Sequence, residues 1–257
     1  DAAVRKALYT GLNRQWMVDR ILNGQAILAD GPIFPGTWAY NDALQRVNFD
    51  AARAQDMLVE AGYVISAEDA TVRAKDGNPL AFTLIYPDTP EHEQIAQAIQ
   101  RDWEALQARI ELEAVPYDVL LNERLANRDF QAALVDINLA RSPDPDPYPF
   151  WDQVQATSGQ NYTQWDNKMA SDYLENARIT LDITERARLY RNFQAIFAEE
   201  LPALPLFYPV YNYAVDTQVQ GIRMGPLFDA SDRFSSVTDW FLQARRSTPL
   251  PETSPTP

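Results

Sequence analysis

Apolar residues recur at helical spacing through much of the chain. Val4 and Leu8 begin the first such pattern, which predicts a single helix over residues 2–22. A second pattern predicts a helix that has Asp50 as its N-cap and ends at Gly62, where a left-handed residue suits the last turn. The same spacing predicts four further helices, at residues 91–108, 118–127, 167–181 and 184–200, the last of them capped by Thr184.

Three segments between these helices have the length and composition of strands, namely residues 80–86, 110–115 and 132–139. The third is an apolar run centred on Val135 and Ile137, which predicts a buried strand. Strands that alternate with helices at these spacings predict an α/β fold with a parallel sheet and right-handed crossovers. Further along the chain, residues 206–208 are expected to form another strand.

Two stretches outside these patterns are predicted from turn chemistry. Asp76-Gly77-Asn78-Pro79 predicts a turn, with a short hairpin formed by the residues before it. Residues 25–49 are expected to form a long irregular connection.

The third strand is followed by a segment rich in proline. Pro143, Pro145, Pro147 and Pro149 each fix their own φ and lack a backbone donor, so neither a helix nor a central strand can continue. The sequence therefore predicts a stiff loop at the carboxyl end of a strand, which is where open α/β sheets bind their ligands. A plain surface turn stiffened by proline is the other interpretation of this segment.

Aromatic residues are crowded into and just after this loop, at a spacing that no helix or sheet face explains. They either cap the hydrophobic core or form a wall that faces a ligand. The residues concerned are Tyr148, Phe150, Trp151, Tyr162 and Trp165.

The charge balance excludes several partners. The 257 residues include 22 basic and 36 acidic side chains, a net charge of −14, which repels nucleic acid and anionic membranes.

There is no cysteine, so disulfides and thiol catalysis are excluded, and the single histidine, His92, excludes a site that needs two imidazoles. No apolar run reaches the roughly 18 residues of a membrane helix, and Asp1-Ala2-Ala3 does not resemble a signal peptide.

The familiar cofactor and catalytic motifs are missing from the sequence. Neither GxGxxG, GxxxxGK[ST] nor GxSxG occurs, and the pair His92-Glu93 is followed by Ala96 where a zinc protease has its second histidine. The aspartates of the proline-rich loop lack the glycine and the final glutamate of a calcium loop. We therefore expect no cofactor and no resident metal. A hydrolase that uses Asp144 and Asp152 as acid and base, and an interaction module that docks a protein on the aromatic loop, are the alternatives.

Several segments of the sequence carry a family resemblance when they are taken in order. They are the helix Val4–Arg14 with Leu22–Ala26, the helix Phe49–Tyr63, the strand with Pro143-Asp144-Pro145, the stretch Glu185–Leu206 and the triplet Val219-Gln220-Gly221. Together they resemble the carboxyl-terminal half of the family 5 extracytoplasmic solute-binding proteins, the peptide-binding group of ABC importers. The ordered set covers nearly all of residues 1–242.

The resemblance implies a fold and a function. The fold would be a lobe of the type II periplasmic-binding-protein class, with residues 1–213 as the carboxyl-terminal ligand-binding lobe. Residues 214–245 would return to an amino-terminal lobe, and residues 246–257 would be a disordered, proline-rich tail. The protein would be a monomer outside the cytoplasm that captures a peptide-like solute between two lobes and delivers it to a membrane permease. The other lobe, with its lipoprotein or signal sequence and any membrane tether, would lie outside this chain.

One departure from the family pattern bears on the ligand. Similar peptide-binding members have an aspartate three residues before the Asp-Pro pair, where it takes the peptide's amino terminus, and this chain has Arg141 there. A guanidinium repels an ammonium group and favours a carboxylate or another group rich in acceptors. Free peptide amines are thus disfavoured, and capped, anionic or sugar ligands become credible. The expected cleft residues are Asn138, Arg141, Asp144, Tyr148, Trp151 and Trp165.

Overall fold

The computed structural model describes residues 1–65, 70–139, 144–225 and 230–243. Arg141 and the predicted tail at residues 246–257 lie outside these ranges. The α-helices are α1 (Ala2–Thr10), α2 (Arg14–Arg20), α3 (Ala51–Glu60), α4 (Pro90–Glu104), α5 (Tyr117–Val119), α6 (Tyr148–Trp151), α7 (Gln155–Ser158), α8 (Lys168–Ile179) and α9 (Ile183–Glu200). The strands are β1 (Ala26–Leu28), β2 (Val64–Ile65), β3 (Arg73–Lys75), β4 (Asn78–Pro79), β5 (Ala81–Pro87), β6 (Arg109–Val115), β7 (Ala132–Ala133), β8 (Phe207–Pro209), β9 (Val219–Gln220) and β10 (Phe241–Leu242).

The central sheet contains the parallel strands that the sequence predicted. Its order is β6-β5-β7, and β5 pairs in parallel with both neighbours. The hairpin is also present, as the three-stranded antiparallel sheet β2-β3-β4. The irregular connection predicted for residues 25–49 does contain one short strand, because β1 pairs antiparallel with β8 far along the chain.

The prediction of one buried strand over residues 132–139 is wrong. The ladder between β5 and β7 places Ile85 opposite Ala133 and ends with the bond from the Leu134 amide to the Ile85 carbonyl. The next amide needed from β5 is that of Pro87, which has no hydrogen to donate, so the strand pairing stops there. The segment that follows is partly exposed, and Ile137 keeps 41% of its surface.

The first predicted helix is divided into α1 and α2. A Cβ atom on Gly11 would lie 2.5 Å from the Leu106 side chain, so glycine allows the end of α1 to approach the end of α4 closely. Asn13 then starts α2, since its side chain accepts a hydrogen bond from the Trp16 amide at 3.0 Å.

One other helix start and one helix type differ from the sequence prediction, while the second helix is confirmed. The N-cap of α9 is Asp182 and not Thr184, because the Asp182 carboxylate accepts from the Glu185 amide at 2.8 Å. The predicted helix over 118–127 is α5 followed by a π-helical turn, Leu120–Leu125. As predicted, α3 has Asp50 as its N-cap, and Gly62 after it has a φ of +91°.

Three apolar clusters hold these elements together. The largest fills one face of the central sheet and packs α1, α3 and α4 against β5 and β6. The second joins α8 and α9 to the aromatic segment after the proline-rich loop. The third covers the other face of the sheet, where Ile85 and Val115 pack on the π-helical turn.

The chain divides into two compact units, Asp1–Val210 and Tyr211–Pro257. The second unit contains the antiparallel pair β9 and β10 and an aromatic group of Tyr213, Phe234 and Trp240. The assignment of residues 1–213 to a ligand-binding lobe and of 214–245 to a return segment stays a prediction. Within the part of the chain that the structure describes, no helix has the length and apolar character needed to cross a membrane.

Candidate functional site

A pocket of about 90 Å³ opens beside the end of β7. Its floor and walls are apolar, and its polar side chains, Gln160 and Thr163, are exposed at the rim. The apolar lining residues are Leu125, Phe130, Ala133, Val135, Ile137, Phe150, Trp151 and Ala203, with the ring of Tyr162. A concave apolar surface with a few polar groups at its edge is the usual form of a small-molecule site.

The first wall of the pocket comes from alternate residues of β7 and its extension. Ala133, Val135 and Ile137 all line the pocket. Leu134 packs instead into the cluster on the opposite face of the sheet, and Asp136 also lies outside the pocket lining. This alternation of lining residues is the pattern that an extended chain produces, and we call residues 134–138, which follow β7 beyond its ladder, the extended segment.

A histidine contact secures the far side of this segment. The Nε2 atom of His92 lies 3.1 Å from the Asp136 carboxylate, and its Nδ1 atom lies 2.7 Å from the Thr89 hydroxyl. Thr89 is also the N-cap of α4, so the imidazole connects the start of α4 to the extended segment. The His92 side chain is only 16% exposed.

The opposite wall is held in place by an arginine. One terminal nitrogen of Arg128 donates to the carbonyl groups of Gln155, Ala156 and Gly159 at 3.3, 3.0 and 2.8 Å. The guanidinium also lies 5.3 Å from the centre of the Tyr162 ring. Arg128 therefore fixes the loop that carries the rim residues and one aromatic wall of the pocket.

A buried amide completes the support of this loop. Asn161 is fully buried, and its side chain donates to the carbonyl groups of Asp152 and Trp165 at 3.1 and 2.8 Å. Its side-chain oxygen accepts from the Trp165 amide and from the Thr163 hydroxyl. These four hydrogen bonds fix the backbone on either side of Asn161 and so support this wall of the pocket.

The aspartates of the proline-rich loop pair with arginines of the helices behind it. The Asp144 carboxylate accepts from Arg186 of α9 at 2.5 Å, and Asp146 lies 3.1 Å from Arg178 of α8. The Arg178 guanidinium also lies 4.2 Å from the centre of the Tyr148 ring. Burial raises the pKa of the Asp146 carboxyl, and the nearby Arg178 charge and the Tyr148 amide only partly offset this. These contacts anchor the loop to α8 and α9.

The two tryptophans predicted for the cleft are both buried. Trp151 is 4% exposed, packs edge-on against Phe197 with ring centres 4.7 Å apart, and also forms part of the pocket wall. Trp165 is 8% exposed and donates from Nε1 to the Glu200 carboxylate at 2.6 Å. The aromatic segment therefore caps the core and, at Trp151, faces the pocket as well.

The other residues that the sequence proposed for the cleft or for catalysis do not line the pocket or lie outside the described residues. Asn138 is exposed near the end of the extended segment, while Arg141 lies outside the described residues. Asp144 and Asp152 do not line the pocket, since Asp144 pairs with Arg186 and Asp152 is fully buried. That arrangement gives no support to the hydrolase alternative.

Sequence reasoning did not single out some of the pocket residues. Leu125, Phe130 and Ala203 come from three separate segments and resemble ordinary core residues in the sequence. The sequence signals for this pocket were the apolar run that contains Ala133, Val135 and Ile137 and the crowded aromatics Phe150, Trp151 and Tyr162. Among the described residues, no group of three or more histidine, aspartate or glutamate side chains could hold a metal ion.

Comparison with known proteins gives consistent matches. Residues 1–161 match the family described as "Bacterial extracellular solute-binding proteins, family 5 Middle". The chain is 26% identical to the oligopeptide-binding protein AppA of Bacillus subtilis, over 94% of this chain and 44% of that protein. It is 27% identical to the di/tripeptide-binding protein 2 of Pseudomonas aeruginosa, over 88% of this chain and 41% of that protein.

Solved structures share the fold. The structure of AppA from Bacillus subtilis in complex with a nonapeptide matches with a TM-score of 0.76 at 24% identity, over 95% of this chain and 48% of that one. The chain thus spans less than half of the length of these relatives. The predicted α/β fold of a periplasmic binding protein is confirmed, with helices on both faces of a sheet that has parallel strands.

Proposed function

We propose, since the chain belongs to family 5 of the bacterial extracellular solute-binding proteins, that the protein captures a peptide-like or related small solute outside the cytoplasm. The family match is the observation that carries this proposal. Capture would be reversible and non-covalent, between this lobe and a second one, and the loaded protein would deliver the solute to the permease of an ABC importer. No catalytic step is part of this function.

The extended segment beside the pocket supports a peptide-like ligand. The segment continues an edge strand, and Asp136 and Ile137 are exposed and have no backbone hydrogen bond to any residue that the structure describes. Backbone groups at the edge of a sheet are a template for an added strand, which an extended peptide can supply. The named relatives bind oligopeptides and di- or tripeptides, which agrees with this mode.

The six residues chosen from the sequence divide into two roles under this proposal. Asn138, Arg141 and Trp151 would contact the solute. Asp144, Tyr148 and Trp165 would hold the proline-rich loop and the pocket wall in place, as their contacts with α8 and α9 support.

Arg141 would set the end-group preference. Since a guanidinium repels an ammonium group, the ligand would present a carboxylate or another acceptor-rich group at this position. This interpretation favours capped, anionic or sugar-like solutes over peptides with a free amine at that end. Its test is Arg141→Asp, which should shift the preference toward free amines.

A thermal-shift screen of the complete protein tests the function. Free peptides, N-acetylated peptides, sugars and organic anions are compared at matched concentrations. A ligand present at 100 times its Kd stabilises the folded state by about 2.7 kcal/mol, which a melting curve resolves easily. The proposal expects at least one class to raise Tm, with N-acetylated peptides ahead of free ones. A screen in which none of these solutes raises Tm would contradict solute capture.

A further inference from the structure

The apolar pocket beside β7 has the size of one aliphatic side chain. Its volume is about 90 Å³. An apolar protein cavity of roughly 150 Å³ stays dry and takes up benzene, so a smaller pocket suits a branched aliphatic group better than an aromatic ring. Drug-sized ligands fill pockets of roughly 300 Å³ or more, so this pocket takes a part of a ligand.

The pocket is built to remain open. Leu125 and Trp151, which form part of its wall, are 1% and 4% exposed and are held by the core clusters. Arg128 and Asn161 fix the loop on the other side through five hydrogen bonds to backbone carbonyls. A rigid apolar pocket of this kind selects by size, because its walls cannot close around a smaller group.

The position of the pocket connects it to the proposed ligand edge. Val135 and Ile137 line the pocket and also belong to the extended segment on which a peptide would pair. Side chains of an added strand alternate between the two faces of a sheet, so one of them faces the side on which Ala133, Val135 and Ile137 lie. The rim residues Gln160 and Thr163 leave polar groups where the ligand backbone would enter.

From this arrangement we infer that the pocket is a specificity site for one aliphatic side chain, of about leucine size, on a peptide-like ligand. The inference rests on the proposed function and names a selectivity that the family match does not give. Aspartate, lysine and large aromatic side chains are excluded from this position by the apolar lining and the volume.

The test uses the complete protein and five tetrapeptides. They are tetra-alanine and its four variants with a single leucine at each position, each in free and N-acetylated form, titrated by calorimetry. Leucine at one position should raise affinity by about 10- to 100-fold over tetra-alanine, as expected for burying its extra carbons. At the other three positions the gain should be small.

Filling the pocket should abolish that gain. Ala133→Leu places a branched side chain into the pocket from β7, and Ala203→Leu does so from a different segment, in case one of the two variants fails to fold. Either should bring the preferred leucine peptide down to the affinity of tetra-alanine. Ala126→Leu is the matched control, because Ala126 is exposed and does not line the pocket.

The outcomes separate this inference from the function on which it rests. If peptides bind but leucine gives no gain at any position, or the gain survives in both filled variants, the pocket is only a packing defect and the inference is wrong while capture stands. If none of the peptides binds in either form, peptide capture itself fails and the inference fails with it.

Discussion

Arg186 of α9 donates a hydrogen bond of 2.5 Å to the carboxylate of Asp144, a residue 42 positions earlier in the chain. The same guanidinium donates to the Ala177 carbonyl at 2.8 Å, near the end of α8. One side chain thus connects the proline-rich loop, α8 and α9. Because Pro145 and Pro147 restrict the backbone between Asp144 and α6, this contact fixes the position of a segment that has little internal freedom.

Replacement of Arg186 by leucine should therefore lower stability. We expect a loss of about 1–2 kcal/mol in the free energy of unfolding, because a hydrogen bond to a charged group contributes in this range and Asp144 keeps some exposure to water. Urea denaturation measures the change. Arg188→Leu is the matched control, since Arg188 pairs with Glu185 at the exposed surface and its loss should leave the unfolding curve unchanged. Equal losses in both variants would show that the Asp144 contact contributes nothing special.

Substitutions at Trp165 and Ile137 should distinguish a residue of the core from a residue of the binding surface. Trp165→Phe removes the hydrogen bond to Glu200 and part of a buried ring, so we expect a loss of about 2 kcal/mol in stability with no change in ligand affinity. Ile137→Ala should lower ligand affinity and leave stability nearly unchanged, because Ile137 is 41% exposed and lines the pocket. Urea denaturation and peptide titration on each variant check both halves. A fall in affinity with Trp165→Phe at unchanged stability would assign Trp165 to the cleft after all.

Local signals in the sequence predicted much of this fold. The Asp50 cap and Gly62 at the end of α3 are decided by residues next to each other, and β5 and β6 carry their own periodicity. The length of β7 could not be predicted in the same way. It depends on Pro87 of a neighbouring strand, whose missing amide ends a ladder that the residues of β7 alone would continue.

The site was less predictable than the fold, because it too depends on contacts between segments that are distant in the sequence. The crowded aromatics lie in the region of the pocket, but the burial of Trp165 depends on its hydrogen bond to Glu200 at the end of α9. Likewise, the pocket exists because Leu125 and Ala203 meet β7 in space. Contacts between residues so far apart in sequence leave no periodic trace in any one segment.

The buried carboxyl of Asp146 should make stability depend on pH with a definite sign. Burial raises its pKa in the folded protein above the unfolded value, so the folded state holds this proton more tightly. Its contribution is fully present below the unfolded pKa of about 4 and is lost as the pH rises through the higher folded value. The free energy of unfolding of the native protein minus that of Asp146→Asn should thus decrease from pH 3 to pH 7. Urea denaturation at intervals across this range measures the difference, and an increase with pH would mean that the ion pair with Arg178 outweighs burial.

Gly11 should be required for the packing that divides α1 from α2. Its φ of −83° suits any residue, so Gly11→Ala adds no backbone strain and tests only the space around the Cβ atom. That atom would lie 2.5 Å from the Leu106 Cδ1 atom and 3.3 Å from the Ala54 Cβ atom, and both residues are fully buried and cannot move into solvent.

We expect Gly11→Ala to lower the free energy of unfolding by about 1–2 kcal/mol. Overpacking a core lowers it by about 1–3 kcal/mol, and the smaller conformational freedom of alanine in the unfolded chain offsets part of this loss. Gly225→Ala is the matched control, because a Cβ atom there meets no atom of the described residues within 4 Å. Thermal unfolding should show a lower Tm for Gly11→Ala and an unchanged or slightly higher Tm for Gly225→Ala. Unchanged stability in Gly11→Ala would mean that α1 and α4 can separate without loss, and that the break between α1 and α2 comes from the Asn13 cap instead of close packing.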